Sequence, residues 1–407
     1  MFDEIQIGDR RLVGQQEAKE RLMRTLRSGR TSHSYLFSGP AGSGKTALAL
    51  AFAELLNGVD NLTDLKGRAT SRKKSWFRHP DVHLFIPLPA AVAKSASSRS
   101  REMKNRLELL EKDPYEVVDF KMRPALDKEV SSKSVRAFYP IDFFNEEIRT
   151  KSFVKPNEGR YTVVIITGID TMRKEAANAF LKLLEEPPEN VIFLLTSEGT
   201  DRLLPTILSR CQLIRLSPLS EDELAEALIR FDGFSEKEAS LLSRISGGNY
   251  SMARHFDIKL LRESRDDLIK FLRMAYVQDA AGITKLSQQW QSDLNLENQF
   301  ALCSTLELLL RDLLIFRETG EEKLISNVDQ LEVIRKFCES LADARLEEMI
   351  DHVRQLKGLL HQNVQFKLIF TVLALRFTFL MRGNDPVIPD NKPWKHLPAL
   401  TYDPTAP

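Results

Sequence analysis

The sequence predicts an α/β domain built on a parallel sheet, followed by an all-helical half. Three observations lead there. Short apolar runs alternate with helical patterns up to about Leu216. Two of those runs, Val163-Val-Ile-Ile166 and Val191-Ile-Phe-Leu-Leu195, are continuous, as expected of strands covered on both faces. Beyond Ser220 the strand patterns stop and apolar residues recur at helical spacing, as at Leu302, Leu306, Leu309, Leu310 and Leu313.

In chain order, the strands are expected at Ser34 to Phe37, Val82 to Ile86, Val163 to Ile166, Val191 to Thr196 and Gln212 to Leu216. Helices are expected at Lys45 to Leu56 and Lys174 to Leu184. Ser220 and Ser235 each precede a glutamate by three residues, the spacing of a capping box, so each opens a helix. Gly247-Gly248-Asn249 then breaks the chain. The expected units are a nucleotide-binding domain over 1–217, a helical lid over 218–265, a helical domain over 266–383 and a Pro-rich tail over 384–407. The stretch of about 87–139 is an unusually long insert between the second and third strands, with a helix expected from Arg101 to Glu111.

Composition excludes several classes. The 407 residues suggest two to three domains at roughly 150 residues each. Lys+Arg (58) nearly equals Asp+Glu (57), so any contact with a polyanion must come from a local patch. One such patch is 66–78, with six basic residues, Trp76 and Phe77, and no acid. It reads either as a solvated loop or as a contact to a nucleic-acid backbone. Cys211, Cys303 and Cys338 lie far apart, which fits a reducing cytoplasm and neither a disulfide framework nor a four-cysteine zinc site. The first ten residues have no apolar core of a secretory signal, and Phe366 to Met381 is interrupted by Lys367 and Arg376, so no membrane segment is expected.

The most specific motif is Gly39-Pro-Ala-Gly42-Ser-Gly44-Lys45-Thr46, which fits G-x-x-x-x-G-K-[ST] between a strand and a helix. Glycines let backbone N–H groups converge on phosphate oxygens, and the helix N-terminus adds positive potential. Lys45 would reach the β- and γ-phosphates of ATP, and Thr46 would offer its hydroxyl to Mg²⁺. Hydrolysis also needs a carboxylate at a neighbouring strand end. The third strand ends in Thr167-Gly168, which supply none, and Asp170 three residues on is expected to cap the next helix. Weak or absent hydrolysis by this chain alone is therefore expected.

Three further stretches carry a resemblance: Val13-Gly14-Gln15, Glu175-Ala-Ala-Asn-Ala-Phe-Leu-Lys-Leu-Leu-Glu-Glu-Pro-Pro188 and Pro205-Thr-Ile-Leu-Ser-Arg-Cys211. With the phosphate loop, this ordered set resembles the AAA+ clamp-loader subunits of bacterial DNA polymerase III over about the first 216 residues. The resemblance implies an AAA+ domain, a helical lid and a helical collar. It also implies partners of gamma/tau and delta type, and, through the complex, a sliding clamp and primer-template DNA in a nucleoid-associated replisome. Thr167-Gly168 stands where the family's motor has Asp-Glu, which favours the delta-prime type, a stator that donates an arginine. Arg210 of Ser-Arg-Cys is then the trans arginine finger. Ser197 takes the place of a polar sensor, or is an ordinary strand-end cap. Aligning Gly248-Asn-Tyr-Ser251 with the family's lid pattern puts Ser251 at the sensor arginine, with Arg254 one turn later. Many members carry four cysteines where Asn57 to His79 has none, so no zinc is expected. The alternatives are an active gamma/tau-type ATPase and a subunit of another AAA+ DNA-processing assembly.

Overall fold

The computed structural model describes residues 6–7, 10–57, 77, 79–120, 123, 136–256, 258–325, 330–360 and 364–385. The chain divides into two compact units, Met1–Phe256 and Asp257–Pro407. Most of the basic stretch 66–78 and nearly all of the Pro-rich tail lie outside the described residues.

The first unit is built on five parallel strands: β1 (Ser34–Ser38), β2 (Val82–Phe85), β3 (Thr162–Ile166), β4 (Val191–Ser197) and β5 (Gln212–Arg215). Their order across the sheet is β2-β3-β4-β1-β5. Every residue of β1, β3 and β4 is buried, which is why their sequences are continuous apolar runs. The two faces of β1 show how. Tyr35 and Phe37 set their rings edge-on to Phe52 of helix α2 (Lys45–Leu56), at 5.0 and 6.5 Å. Leu36 points the other way, into a cluster with Val164, Ile166, Phe193, Leu195 and Phe180 of α4 (Lys174–Glu185). Phe180 meets Phe193 edge-on at 5.3 Å. Truncating such a ring to alanine costs about 3–5 kcal/mol. Strand β5 is an edge, and its Arg215 is exposed.

Helix α1 (Gln16–Ser28) precedes β1 and starts after Gly14 and Gln15, both at positive φ. The long insert carries α3 (Ala96–Lys112), which is longer than the expected helix and is capped by Ser95, whose side chain accepts from the Ser98 N–H at 3.1 Å. Beyond α3 the chain doubles back over 113–120. Arg106 fixes this return leg from within. It is fully buried, pairs with Glu102 at 2.8 Å, donates to the Val118 carbonyl at 2.7 Å and to the Arg123 carbonyl at 3.0 Å, and lies 3.5 Å from the Phe120 ring.

The lid comprises α5 (Glu221–Asp232), α6 (Glu236–Ile245) and the short α7 (Tyr250–Ala253). Both expected capping boxes form, Ser220 with Glu223 and Ser235 with Glu238. The lid–collar boundary is expected at 265/266. It falls inside one continuous helix, α8 (Ile258–Val277), and the units separate at Phe256/Asp257 instead. Asp266 is exposed on that helix, which has no break there.

The second unit is all helical: α8, then α9 (Ala280–Asp293), α10 (Leu296–Thr319), α11 (Leu331–Ser340), α12 (Leu346–Leu359) and α13 (Phe366–Leu380). Phe271, Trp290, Phe370 and Phe377 form its aromatic centre, with ring centroids 4.7–6.3 Å apart. Leu302, Leu306, Leu309, Leu310 and Leu313 are all buried, as their spacing predicts. No helix among the described residues is long and apolar enough to cross a membrane.

Candidate functional site

The phosphate loop sits at the carboxyl end of β1, where open α/β sheets place their ligands. Gly42 and Gly44 adopt φ of +70° and +87°, conformations that side-chain-bearing residues rarely take. Gly44 is the N-cap of α2, so Lys45 and Thr46 open the helix. The Lys45 Nζ donates to the loop's own carbonyls, at Gly39 (2.7 Å) and Pro40 (2.6 Å). Burial pushes its pKa down to about 8, against the opposing pull of Glu198 and Asp170. The Ser43 hydroxyl is fully buried and has no hydrogen-bond partner among the described residues. Glycines at positive φ, a helix N-terminus, a lysine and a buried donor without an acceptor all fit a triphosphate.

Ser197, at the end of β4, is brought to this loop. Its carbonyl accepts from the Gly39 N–H at 3.2 Å. Its buried hydroxyl donates to Asp170 Oδ1 at 3.1 Å and also meets the Gly199 carbonyl. Asp170 therefore does not cap α4 as expected. Arg173 holds that N-cap position without a side-chain cap, and a short 3₁₀ turn after Gly168 directs Asp170 to Ser197 instead. Thr167 and Gly168 end β3 as read, and the buried Tyr139 donates to the Thr167 carbonyl at 2.7 Å.

Two residues of this end were not singled out by sequence. Gln15 bridges the loop to the segment after β5: its Nε2 donates to the Ser43 carbonyl at 3.1 Å and the Ser217 carbonyl at 2.7 Å. Its place in Val13-Gly14-Gln15 was the available signal. Tyr115 had none. Its hydroxyl accepts from the Val13 N–H at 2.7 Å, and a β-carbon on Gly44 would stand 3.1 Å from its ring. Arg254, read as a displaced lid sensor, is paired with Asp113 and, at 2.9 Å, with Asp232. Ser251 is half-buried on α7. His79-Pro80-Asp81 anchors a loop: Asp81 accepts from the N–H groups of Asn157, Glu158 and Gly159 at 2.6–2.7 Å.

Arg210 stands at the other end of the sheet. Ser34, the first residue of β1, donates to the Arg210 carbonyl at 2.6 Å. Its guanidinium donates to the Thr206 carbonyl and to Glu185, the last residue of α4, both at 2.9 Å. The side chain is about one-third exposed. The phosphate loop begins just past Ser38, so β1 itself, roughly 13 Å at about 3.3 Å per residue, separates the two features.

Comparison with known proteins reaches both units. The model of a family described as DNA polymerase III, delta subunit, matches residues 14–220, just over half of the chain. That of its C-terminal region matches residues 260–378. DNA polymerase III subunit delta' of Bacillus subtilis is 25% identical over 359 residues, covering 87% of this chain and 93% of the relative. Subunit tau/gamma of Haemophilus influenzae is 28% identical over 217 residues, 53% of this chain and only 25% of that relative. A solved gamma subunit-related protein from Thermotoga maritima covers 89% of this chain and is itself covered to 99%, at 16% identity and a TM-score of 0.39. With one family model over the phosphate-loop domain and lid start, and its C-terminal counterpart over the helical unit, the chain belongs to the DNA polymerase III delta subunit family.

Proposed function

We propose that this chain is a delta-prime-type subunit of the DNA polymerase III clamp loader, acting in ATP-dependent loading of the sliding clamp onto primed DNA. Its partners would be gamma/tau-type and delta-type subunits, with clamp and DNA reached through the complex. Within it the chain serves as stator and as donor of Arg210 to a neighbour's ATP site. The observation that carries this reading is the separation of Arg210 from the chain's own phosphate loop by the length of β1. An arginine so placed cannot act on a phosphate held by its own loop. Presented to a neighbour, a planar guanidinium neutralises charge developing on the transferred phosphoryl group.

ATP with Mg²⁺, where bound, would be held by Gly39, Gly42, Gly44, Lys45 and Thr46. Bound there, it would supply binding energy rather than turnover, because β3 ends without a carboxylate at Thr167 and Gly168. A second reading, an active gamma/tau-type ATPase, is favoured by one observation. Asp170 reaches Ser197 beside the loop and pulls on the Lys45 charge.

Steady-state ATP turnover of the purified chain, with Mg²⁺ and primed DNA, separates the two. The stator reading expects no turnover above a Lys45→Ala control. Turnover lost in both Lys45→Ala and Asp170→Asn would install the motor reading.

A further inference from the structure

The long insert has no part in the reading above, yet its return leg lies on the phosphate loop. We propose that residues 113–116 form a latch that holds the lid down on this loop, so that a nucleoside triphosphate enters only when the latch lets go. The proposal rests on the reading of the loop as a triphosphate site.

Three attachments define the latch. Asp113 pairs with Arg254 of the lid, both nearly buried, and Arg254 is held from its other side by Asp232 at the end of α5. Glu116 lies between lid His255 (3.4 Å) and Arg123 of the insert (2.7 Å). Tyr115, between them, sets its ring edge-on to lid Tyr250 at 4.9 Å, and Tyr250 in turn donates to Asp232 at 2.8 Å. One short segment of the insert thus grips α7 and the residues that follow it, and through Arg254 and Tyr250 it is linked to Asp232 of α5.

The same segment covers the loop. Tyr115 packs against Gly44 and takes the Val13 N–H, tying the chain before α1 to the start of α2. The lid it grips presses on the neighbouring glycine. A β-carbon on Gly42 would overlap the Asn249 side chain, and the Tyr250 N–H donates to the Gly42 carbonyl at 3.3 Å. Bare glycine backbone ordinarily admits phosphate oxygens; at Gly42 and Gly44 it admits Asn249 and Tyr115. Lys45 meanwhile satisfies itself on the Gly39 and Pro40 carbonyls, and the buried Ser43 hydroxyl is left without a partner among the described residues. A buried donor without an acceptor is costly, so the closed arrangement forgoes hydrogen bonds that a phosphate would restore.

Opening would exchange these contacts for phosphate contacts. The occupied fraction is then the intrinsic affinity reduced by the fraction of molecules with the latch open. Any partner that draws the insert away from Arg254 and His255 would raise nucleotide occupancy without touching the loop.

The test is ATP binding to the full-length chain by titration calorimetry with Mg²⁺, for wild type, Asp113→Asn and Tyr115→Ala. Tyr115→Phe, which removes only the hydroxyl on Val13, serves as the mild variant should either of the others fail to melt cooperatively. The latch predicts at least tenfold tighter ATP in Asp113→Asn and Tyr115→Ala, a smaller gain in Tyr115→Phe, and reversal of the gain by Lys45→Ala in the same background. Unchanged affinity in the cooperatively folded variants would overturn it. That outcome would leave the Arg210 reading standing, since Arg210 is judged by turnover of the complex.

Discussion

The two ends of β1 carry two charged features of this chain, and they are built in opposite ways. At the carboxyl end, Lys45 is turned back onto its own loop, and the lid and insert cover Gly42 and Gly44. At the amino end, Arg210 has one protein carboxylate and one carbonyl as partners and remains partly exposed. The lesson is that a cation's role follows from what surrounds it more than from its motif. The motif with the stronger sequence signal is turned inward, and the single arginine with the weaker one is turned outward.

The largest effect expected in testing this contrast comes from Arg210→Lys. It keeps the charge but loses the planar fork, so complex turnover should fall by about a hundredfold, part of the range a trans arginine contributes. Turnover within twofold of wild type would reduce Arg210 to a point charge and weaken the contrast. At the other end, Gly42→Ala forces a β-carbon into positive φ and against Asn249. It should lower unfolding free energy by about 1–3 kcal/mol, measured by urea titration. The same change at Gly29, which has positive φ but no atom within 4 Å of where a β-carbon would stand, should cost less.

A pH titration sharpens the contrast further. The folded Lys45 titrates at about 8, below its ordinary 10.5. Between those values the unfolded chain binds more protons than the folded one, so the Lys45 contribution to stability rises with pH across that window. Below pH 8 the cost of holding a buried ammonium is present in full. Lys45→Met should flatten the difference in urea midpoint between pH 8 and pH 10; an unchanged difference would show that the loop does not bury this charge. The smallest expected effect is Glu185→Gln. Its pair with Arg210 is half exposed, so stability should change by no more than about 0.5 kcal/mol.

Much of this was legible beforehand. All five strands lie within a residue or two of their expected bounds, because continuous Val/Ile/Leu/Phe runs leave little choice for central strands. The capping boxes at Ser220 and Ser235 were legible because the interaction is local. The misses at single residues are tertiary. Asp170 was read as a helix cap from its distance to Arg173, but the turn at Gly168 carries it to Ser197. The insert had no assigned role because Asp113 and Arg254 meet across most of the first unit's length, and no periodicity records such a pairing. Tyr115 follows Pro114 just past the end of α3, which marks a helix stop and says nothing of Val13 or Gly44.

In the proposed role, Arg210 acts on a neighbouring subunit's ATP and not on this chain's own. The direct measurement is ATP turnover of the complex reconstituted with gamma/tau-type and delta-type subunits, clamp and primed DNA, with Arg210→Ala in place of the wild-type chain. Turnover should collapse with the variant still folded and still incorporated. Full turnover from a correctly assembled Arg210→Ala complex would contradict it.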